Sequence, residues 1–281
     1  MSKRDIVFIA DAFHEDIAGG GEMNNAEAIY LFLQKGHDVH RVYSHVLTPE
    51  IIEERKDSFF IVGNFVRASA PGLQALLDTD YLIYEHDHKY LLSRNPADYE
   101  DYLAPKEHLV NLPLYENAQT VLCQSTFHRD IVFKNTGLKN LRSLGGNLWP
   151  AQVLEYIRQL AGKEKNDKFS ILDSNISHKN TEEALRFCMA KNYEYELVRD
   201  TDYLRFLAKL GANSGFVFFP QTPETLSRVV VEARMMDMRV ISNKNIGATK
   251  EDWFKLRGPD LIDYMLEKRQ EIATTILKFV N

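Results

Sequence analysis

The chain of 281 residues is long enough for one large domain or two smaller ones. Hydrophobic residues make up 44% and charged residues 26%, a globular composition that excludes disordered, collagen-like and coiled-coil proteins. The formal net charge of −6 argues against a strongly basic nucleic-acid-binding protein. Two cysteines are too few for a metal site of their own and suit a reducing compartment. No apolar run approaches the roughly 18 residues of a membrane span and no signal peptide is recognised, so we expect a cytoplasmic protein.

The alternation of short apolar runs with helical segments predicts a parallel α/β sheet in the first half of the chain. The predicted strands are Asp5–Asp11, Val39–Ser44, Phe59–Phe65, Tyr81–Glu85 and Thr120–Ser125. The predicted helices are Glu22–Gln34, Pro49–Arg55, Gly72–Leu77, Lys106–Asn117 and Phe127–Lys134. In such sheets, ligands bind beyond the carboxyl ends of the strands.

A segment rich in glycine, residues 144–150, interrupts this alternation and has the composition of a hinge. Beyond it the predicted strands are Phe169–Asp173, Tyr195–Arg199, Phe216–Pro220 and Arg239–Ser242. The predicted helices are Ala151–Leu160, Thr181–Ala190, Tyr203–Leu210, Leu226–Met236 and Leu261–Phe279. We therefore predict an α/β protein of two Rossmann-like domains, residues 1–146 and 147–281, with a cleft between them.

Two glutamates follow the third predicted strand of the second half. Glu224 stands just before the predicted helix, and Glu232 lies eight residues later, about two helical turns along it. The free amides at the start of such a helix, from Thr225 to Arg228, attract phosphate groups. The alternative interpretation is that Glu224 only caps the helix and that Glu232 is a solvated helix residue.

This pair of glutamates, with Phe-Phe-Pro at 218–220 before it and Val-Ile-Ser at 240–242 after it, resembles retaining family-4 glycosyltransferases of the GT-B fold. The resemblance is strongest over residues 215–243. It implies that Glu224 is a catalytic residue on the donor sugar and that Glu232 binds the ribose. A carboxylate suits a diol because it can accept two hydrogen bonds at once. The family commonly has Gly-Phe-Gly after the first glutamate, whereas this chain has Thr225, Leu226 and Ser227.

The same resemblance implies further donor-binding residues. It extends weakly to Ala18 and the glycines after it, where a loop of three glycines lets the backbone approach a diphosphate closely. Lys179 matches the family's lysine on the donor pyrophosphate, and Arg228 is a candidate for the missing arginine; an exposed loop lysine is the alternative for Lys179. The donor-binding set is Gly19, Gly20, Gly21, Lys179, Thr225, Leu226, Ser227, Arg228 and Glu232.

A cluster of ionisable residues, Glu85 to Lys89, follows the fourth predicted strand. The resemblance implies that His86 or His88 is a catalytic residue near the reacting sugar. Alternatively, Glu85 and Asp87 resemble the acidic metal motif of GT-A glycosyltransferases, and His-x-His beside carboxylates can bind a transition metal. A third interpretation is that the cluster only fixes the following loop. We expect no metal, because GT-B donors need none.

Basic side chains gather at the predicted strand ends of the first half, although residues 1–149 carry 14 basic and 21 acidic side chains. We expect these cations to line the acceptor side; solvated loop charge is the alternative. The candidates are His14, Arg67, Lys89, Arg94 and His128.

The leading hypothesis is a retaining, metal-independent glycosyltransferase that moves a sugar from a nucleotide-diphosphate donor, with UDP expected, to a hydroxyl acceptor without a cofactor. Compact chains of this kind also resemble glycosyltransferases of tailed phages, which would act in the host cytoplasm. One alternative is therefore a DNA glycosyltransferase that adds glucose or a pentose such as arabinose to hydroxymethylated pyrimidines, flipped out of the duplex. Another is a non-catalytic nucleotide-sugar-binding protein. The sugar, the acceptor and the oligomeric state stay open.

Overall fold

The computed structural model describes residues 3–17 and 19–280. Its backbone contacts divide the chain into two compact units, Met1–Leu148 with Arg269–Asn281, and Trp149–Lys268. The predicted division between residues 146 and 147 falls two residues before the end of the first segment. The roles predicted for the two halves, acceptor side and donor side, remain predictions.

The described part of the first unit contains a six-stranded parallel sheet. Its strands are β1 Ile6–Ala10, β2 Val39–Tyr43, β3 Phe59–Val62, β4 Tyr81–Tyr84, β5 Val121–Cys123 and β6 Leu141–Ser143. The strand order is β2-β1-β3-β4-β5-β6, which places the carboxyl ends of β1, β3 and β4 side by side. Every residue of these three strands is buried, as expected for parallel strands covered on both faces.

Helices connect the strands of the first sheet. They are α1 Gly20–Gln34, α2 Pro49–Glu54, α3 Ala70–Leu76, α4 Leu112–Asn117 and α5 Thr126–Thr136. The sequence sets the ends of α5 clearly: the Ser125 hydroxyl accepts from the amide of His128 at its start, and Gly137, with φ of 68°, ends it. The carboxyl end of β5 therefore leads directly into a well-capped helix.

The second unit has a smaller parallel sheet of order β10-β9-β7-β8. Its strands are β7 Asn166–Leu172, β8 Tyr195–Val198, β9 Asn213–Phe218 and β10 Arg239–Ser242. The helices after α5 are α6 Ala151–Ala161, α7 Thr181–Ala190, α8 Tyr203–Leu210, α9 Arg228–Met235 and α10 Gly258–Val280. Because β7, β9 and β10 are neighbours, the loops that leave their carboxyl ends meet at one edge of the sheet.

The end of helix α10 belongs to the first unit rather than to the second, where the sequence had placed it. Buried Arg269 donates from Nε to the carboxylate of Glu27 on α1 over 2.7 Å. Ile272 and Ile276 lie in the same apolar core as the central strand β1. Pairing of a buried charge and burial of this apolar stripe explain why the tail packs there.

Two other expectations differ from the structure. Strand β6 was not predicted, because three residues with one exposed position give too short a pattern. The helix predicted over Lys106–Asn117 is a single 3₁₀ turn, Lys106–His108, followed by the short α4. The left-handed conformation of Asn111, at φ of 58°, interrupts the helix, and Pro113 lies in the first turn of α4, where a missing amide donor is tolerated. Within the described residues, every helix is too short or too polar to cross a bilayer.

Candidate functional site

The loop after β9 carries Glu224 and is held on both sides by neighbouring loops. The amide of Glu224 donates to the carbonyl of Asn245 over 2.8 Å, and the amide of Gly247 donates to the carbonyl of Glu224 over 3.0 Å. From the other side, the side-chain amide of Asn180 donates to the carbonyl of Phe219 over 2.9 Å. The backbone of Glu224 is therefore fixed by the loops that follow β7 and β10.

Lys179 and Glu224, predicted separately, lie together in the structure. Lys179 Nζ is 2.7 Å from Glu224 Oε1, and the two side chains are 25% and 14% exposed. The ammonium also lies 5.9 Å from the centre of the Phe218 ring. The pair is therefore partly screened from water but open enough to meet a ligand, and its positive member can neutralise a phosphate group.

Helix α9 begins at Arg228, two residues later than predicted. Leu226 lies fully buried in the apolar core of the second unit, so only its backbone is available to a ligand. Ser227 takes a left-handed conformation with φ of 75° and cannot continue the helix. Thr225 remains half-buried in the loop. The prediction for this segment was too long because its apolar spacing fits a helix, whereas Leu226 packs from the loop.

Glu232 is a buried carboxylate with its own donors. Its side chain is 3% exposed, and its Oε1 accepts from the indole nitrogen of Trp149 over 2.9 Å and from the hydroxyl of Tyr203 over 2.6 Å. Burial first, and then the neighbouring Glu232 carboxylate, raise the pKa of Tyr203 far above its ordinary value, which keeps the hydroxyl a donor. The expectation of a solvated helix residue is therefore excluded for Glu232.

Arg228 completes this arrangement one helical turn before Glu232. Its Nε lies 3.7 Å from Glu232 Oε1, and its guanidinium stacks 4.5 Å from the centre of the Trp149 ring. Sequence reasoning did not single out Trp149 or Tyr203. Both lie far from Glu232 in the chain, so only the packing of α9 against α8 and the residue pair before α6 shows that they orient its carboxylate.

The glycine segment of the first unit opens α1 instead of forming a separate loop, and Ala18 lies outside the described residues. The helix begins at Gly20, with Gly19 as its N-cap residue. The Glu22 carboxylate folds back against Gly19, and burial, with Asp87 and Asp11 nearby, raises the pKa of Glu22. A Cβ on Gly21 would lie 3.8 Å from the ring of His86, so the amino end of α1 and the loop after β4 are adjacent.

A buried ion pair occupies the centre of that loop. Lys89 Nζ lies 2.9 Å from Glu85 Oε1 and 2.6 Å from Asp87 Oδ1, with the Lys89 and Glu85 side chains 1% and 0% exposed. Glu85 also accepts from the hydroxyl of Tyr115 and from the amide of Asp87 over 2.9 Å. Burial raises the pKa of Glu85, but the neighbouring groups, led by the charge of Lys89 and including the hydrogen bonds from Tyr115 and Lys89, together outweigh burial and hold that pKa below the ordinary value. Lys89 therefore neutralises a carboxylate inside the fold. We expected it to line the acceptor side, but it is not available at the surface.

The two histidines of the loop differ in their surroundings. His86 Nε2 lies 2.7 Å from Asn25 Oδ1, and its Nδ1 lies 2.6 Å from Gln124 Nε2. His88 Nδ1 lies 3.1 Å from the hydroxyl of Tyr90, whereas its buried Nε2 has no hydrogen-bond partner among the described residues. Burial lowers the pKa of each histidine to about 4, and for His86 the charge of Lys89 is the next largest contribution to this lowering. Both rings are therefore neutral at pH 7.

His128, another acceptor-side candidate, is also buried and not at a surface. Its ring lies 4.7 Å from that of His88, centre to centre, and its Nδ1 accepts from the amide of Gln124 over 3.2 Å. The metal interpretation of this loop finds no support in the geometry: within the described part of the chain, no three His, Cys, Asp or Glu side chains are grouped to hold an ion. Independence from metal remains a prediction.

The other acceptor-side candidates are exposed, and one of them, Arg94, lines a cavity. His14 and Arg67 are exposed, and exposed Arg94 pairs with Asp87 over 3.1 Å. The cavity, of about 250 Å³, opens beyond the carboxyl ends of β3 and β4. Its polar lining residues are Lys89, Arg94 and Asn111. Apolar side chains form the rest of the wall, and they are Phe65, Val66, Ala68, Leu73, Leu91, Leu92 and Val110.

No protein-family model matches the chain, and no curated protein matches it in sequence. Solved structures match its fold over nearly the whole length. Anabaena Alr3699/HepE in complex with UDP has a TM-score of 0.54 at 15% identity, over 98% of this chain and 94% of that one. The catalytic domain of starch synthase IV from Arabidopsis thaliana, bound to ADP and acarbose, has a TM-score of 0.57 at 10% identity, over 99% and 94%. The chain has the GT-B fold.

A third neighbour with this fold is an alpha-glucosyltransferase in complex with UDP and a 13-mer DNA that contains an HMU base. Its TM-score is 0.51 at 11% identity, over 100% of this chain and 95% of that one. The predicted fold class is thus confirmed by proteins that share only 10–15% sequence identity with this chain.

Proposed function

We propose that this protein is a retaining glycosyltransferase of family 4 that transfers a sugar from a UDP-sugar to a hydroxyl group. The observation that carries the proposal is the arrangement of Glu224, Lys179 and Glu232 at the carboxyl edge of the second sheet. It combines a partly exposed ion pair with an oriented buried carboxylate. The neighbours HepE and alpha-glucosyltransferase have the same fold, and their structures contain UDP.

The roles of these residues follow from their chemistry. We assign Glu232 to the ribose of the donor: Trp149 and Tyr203 both hold its Oε1, so Oε2 is the oxygen that we assign to the ribose hydroxyls. We assign Lys179 to the diphosphate, where its positive charge stabilises the leaving group. Glu224, whose Oε1 accepts from Lys179 Nζ, accepts from hydroxyls of the donor sugar.

Catalysis on this proposal comes from positioning and from charge stabilisation as the diphosphate leaves. The backbone hydrogen bonds of Glu224 fix the position of its loop, so the loop needs little reorganisation when a donor binds. Of the two histidines predicted to take part, we favour His88. Its Nε2 has no partner among the described residues, whereas both ring nitrogens of His86 are occupied by Asn25 and Gln124.

For the acceptor side we propose the first unit, with Arg67 and Arg94 as its charged residues. The cavity beyond β3 and β4 offers a mostly apolar wall with one exposed arginine. A hydroxyl acceptor with an apolar or planar portion and a nearby anionic group would suit this wall. Lys89 and His128 are left out of the proposed acceptor contacts because both are buried.

The test uses the variants Glu224→Ala and Glu232→Ala with a panel of UDP-sugars. We expect Glu224→Ala to abolish sugar transfer and donor hydrolysis while it still binds UDP. We expect Glu232→Ala mainly to weaken UDP binding, because it loses the ribose contacts. Glu183→Ala is the matched control, since this glutamate on α7 has a side chain that is 47% exposed and pairs with Arg186. Full transfer by both site variants at wild-type donor affinity would sink the proposal.

DNA is the second candidate acceptor, and one observation favours it: the neighbouring alpha-glucosyltransferase is bound to DNA containing an HMU base. The net charge of −6 acts against strong binding to phosphates. Electrophoretic retardation of a duplex with one hydroxymethylated base at low salt, lost as salt rises, would support this acceptor. Mass spectrometry of the DNA after incubation with UDP-sugars would detect the added hexose or pentose, and an unchanged mass with every donor would reject it.

A further inference from the structure

A second cavity, of about 760 Å³, lies at the amino edge of the second sheet. Residues of β7, β9 and β10 line it, together with the loop before β8. Strand β9 leads from this edge to the loop that carries Glu224, and at about 3.3 Å per residue its two ends lie roughly 16 Å apart. The cavity is therefore separate from the site of Glu224 and Lys179, and its volume is that of a ligand pocket, about 300–1,000 Å³.

Two stacked aromatic rings form one wall of this cavity. The half-buried rings of Phe169 and Tyr193 lie 4.7 Å apart, centre to centre, at an angle of 23°. A Cβ on Gly215 would clash with the Phe169 ring, so this glycine lets the ring lie against the backbone of β9. Asn192, directly before Tyr193, is left-handed at φ of 54°, a conformation that asparagine tolerates. Local backbone geometry in two segments of the chain therefore builds the aromatic wall.

A β-bulge in β7 lies next to the aromatic wall. Asn166 pairs with Asn213 and Phe169 pairs with Gly215, so β7 has one more residue than β9 between these two pairs. Asp167 lies within the bulge, is exposed and lines the cavity. Bulges are frequent beside functional sites, where they re-aim a side chain. The bulge therefore accounts for a carboxylate beside the two rings.

The guanidinium of Arg239 lies at the edge of the ring stack. Its Cζ is 5.8 Å from the centre of the Phe169 ring and 5.9 Å from that of the Tyr193 ring, so it borders both rings equally. Within the described part of the chain, the side chains of Arg239 and Asp167 form no hydrogen bond or ion pair. The cavity therefore offers one guanidinium that can donate two hydrogen bonds and one carboxylate that can accept two.

The charges of the residues that line the cavity cancel. Lys168 and Arg239 balance Asp167 and Glu194, and Lys168 Nζ lies 3.8 Å from the Glu194 carboxylate. A nucleic acid needs an excess of positive charge to bind, which this cavity does not offer. A neutral sugar fits it better, because the C–H face of a sugar ring packs on aromatic rings and its vicinal hydroxyls match groups that form two hydrogen bonds each.

We propose that this cavity binds a neutral oligosaccharide, with one sugar ring against Phe169 and Tyr193 and with its hydroxyls on Asp167 and Arg239. The site goes beyond the proposed function, because it is not catalytic and needs no nucleotide. It gives the protein a means to hold a glycan chain at the edge of the sheet opposite to Glu224.

The experiment measures the binding of four neutral hexasaccharides to the whole protein by saturation-transfer NMR and titration: maltohexaose, isomaltohexaose, cellohexaose and N-acetylchitohexaose. We expect at least one to bind. Arg239→Gln should weaken that binding roughly 10-fold, the size of a lost hydrogen bond to a charged group, and Tyr193→Ala should weaken it through loss of the ring. Arg186→Gln is the matched control, because Arg186 on α7 of the same unit is 65% exposed and pairs with Glu183; it should leave the affinity unchanged.

Three results would overturn the inference: no hexasaccharide binds, Arg239→Gln binds as tightly as the wild type, or saturating UDP abolishes the binding. The third result would place the saccharide at the donor site. Because Arg239 is exposed, its variant decides the question even if Tyr193→Ala does not fold. A protein that binds a hexasaccharide in this way but neither UDP nor UDP-glucose would support the inference and refute the proposed function, so the two failures are distinguishable.

Discussion

Removal of the Lys89 side chain tests how the loop after β4 is built. In Lys89→Met, Glu85 keeps its hydrogen bonds from Tyr115 and two backbone amides but loses an ammonium that lies 2.9 Å away. Both side chains are at most 1% exposed, so water does not replace the lost partner. Breaking a buried ion pair on one side costs about 3–5 kcal/mol of unfolding free energy, a large share of the roughly 5–15 kcal/mol that stabilises most proteins.

The pH dependence of this variant has a definite sign. In the wild-type protein the pKa of Glu85 is held below its ordinary value, so the Glu85 contribution is present above about pH 4.3 and is lost as the pH falls through the lower folded pKa. Without Lys89, burial dominates and raises that pKa. The contribution is then fully present only in acid and is lost as the pH rises, so the deficit of Lys89→Met is larger at pH 8 than at pH 5.

Urea unfolding followed by far-UV circular dichroism at pH 5 and pH 8 measures both effects. Lys56→Met is the control, because Lys56 pairs with Glu53 while the two side chains are 61% and 72% exposed, and exposed pairs contribute about 1 kcal/mol or less. The double variant Glu85→Gln with Lys89→Met should recover part of the loss, since it removes the uncompensated charge. The reasoning is refuted if Lys89→Met is no less stable than Lys56→Met at pH 8.

Two further predictions concern the other buried polar groups. Tyr203→Phe removes one of the two donors to Glu232 Oε1. We expect its unfolding free energy to fall by about 1.5–3 kcal/mol and its UDP binding to weaken, measured by thermal unfolding and calorimetry. Unchanged values of both would contradict the assignment of Glu232 to the ribose. His86 and His88 stay neutral in the fold with pKa values of about 4, so their contribution is present above about pH 6.5 and is lost as the pH falls toward 4. The variant His86→Gln should show a flatter profile of melting temperature between pH 7 and pH 4, and a profile as steep as that of the wild type would refute this.

The fold was predictable because parallel α/β architecture has a strong sequence signal. Buried strands such as Ile6–Ala10 appear as short apolar runs, and helices such as Thr181–Ala190 and Tyr203–Leu210 were predicted with the bounds that the structure shows. The hinge composition near residue 146 lies two residues before the end of the first segment of the first unit, at Leu148. The prediction was wrong about the unit to which residues 269–281 belong, because the apolar face of a helix does not specify which core covers it.

The candidate site was predictable only in part. Glu224 and Lys179 could be singled out by motif, but their 2.7 Å contact depends on the adjacency of β7 and β9, which sequence spacing does not give. The surroundings of the basic residues were the hardest part of the site to predict. In the sequence, a lysine beside acidic residues is typical of an exposed surface, and only the fold shows that Lys89 is buried with Glu85.

We propose that the chain cleaves a nucleotide sugar with retention at the residues around Glu224. The most direct measurement is proton NMR of the wild-type protein, Glu224→Gln and Glu183→Ala incubated with UDP-glucose and no acceptor. We expect slow release of UDP and of glucose that appears first as the α-anomer, in the wild type and in Glu183→Ala but not in Glu224→Gln. First appearance of the β-anomer, or equal release by Glu224→Gln, would contradict it.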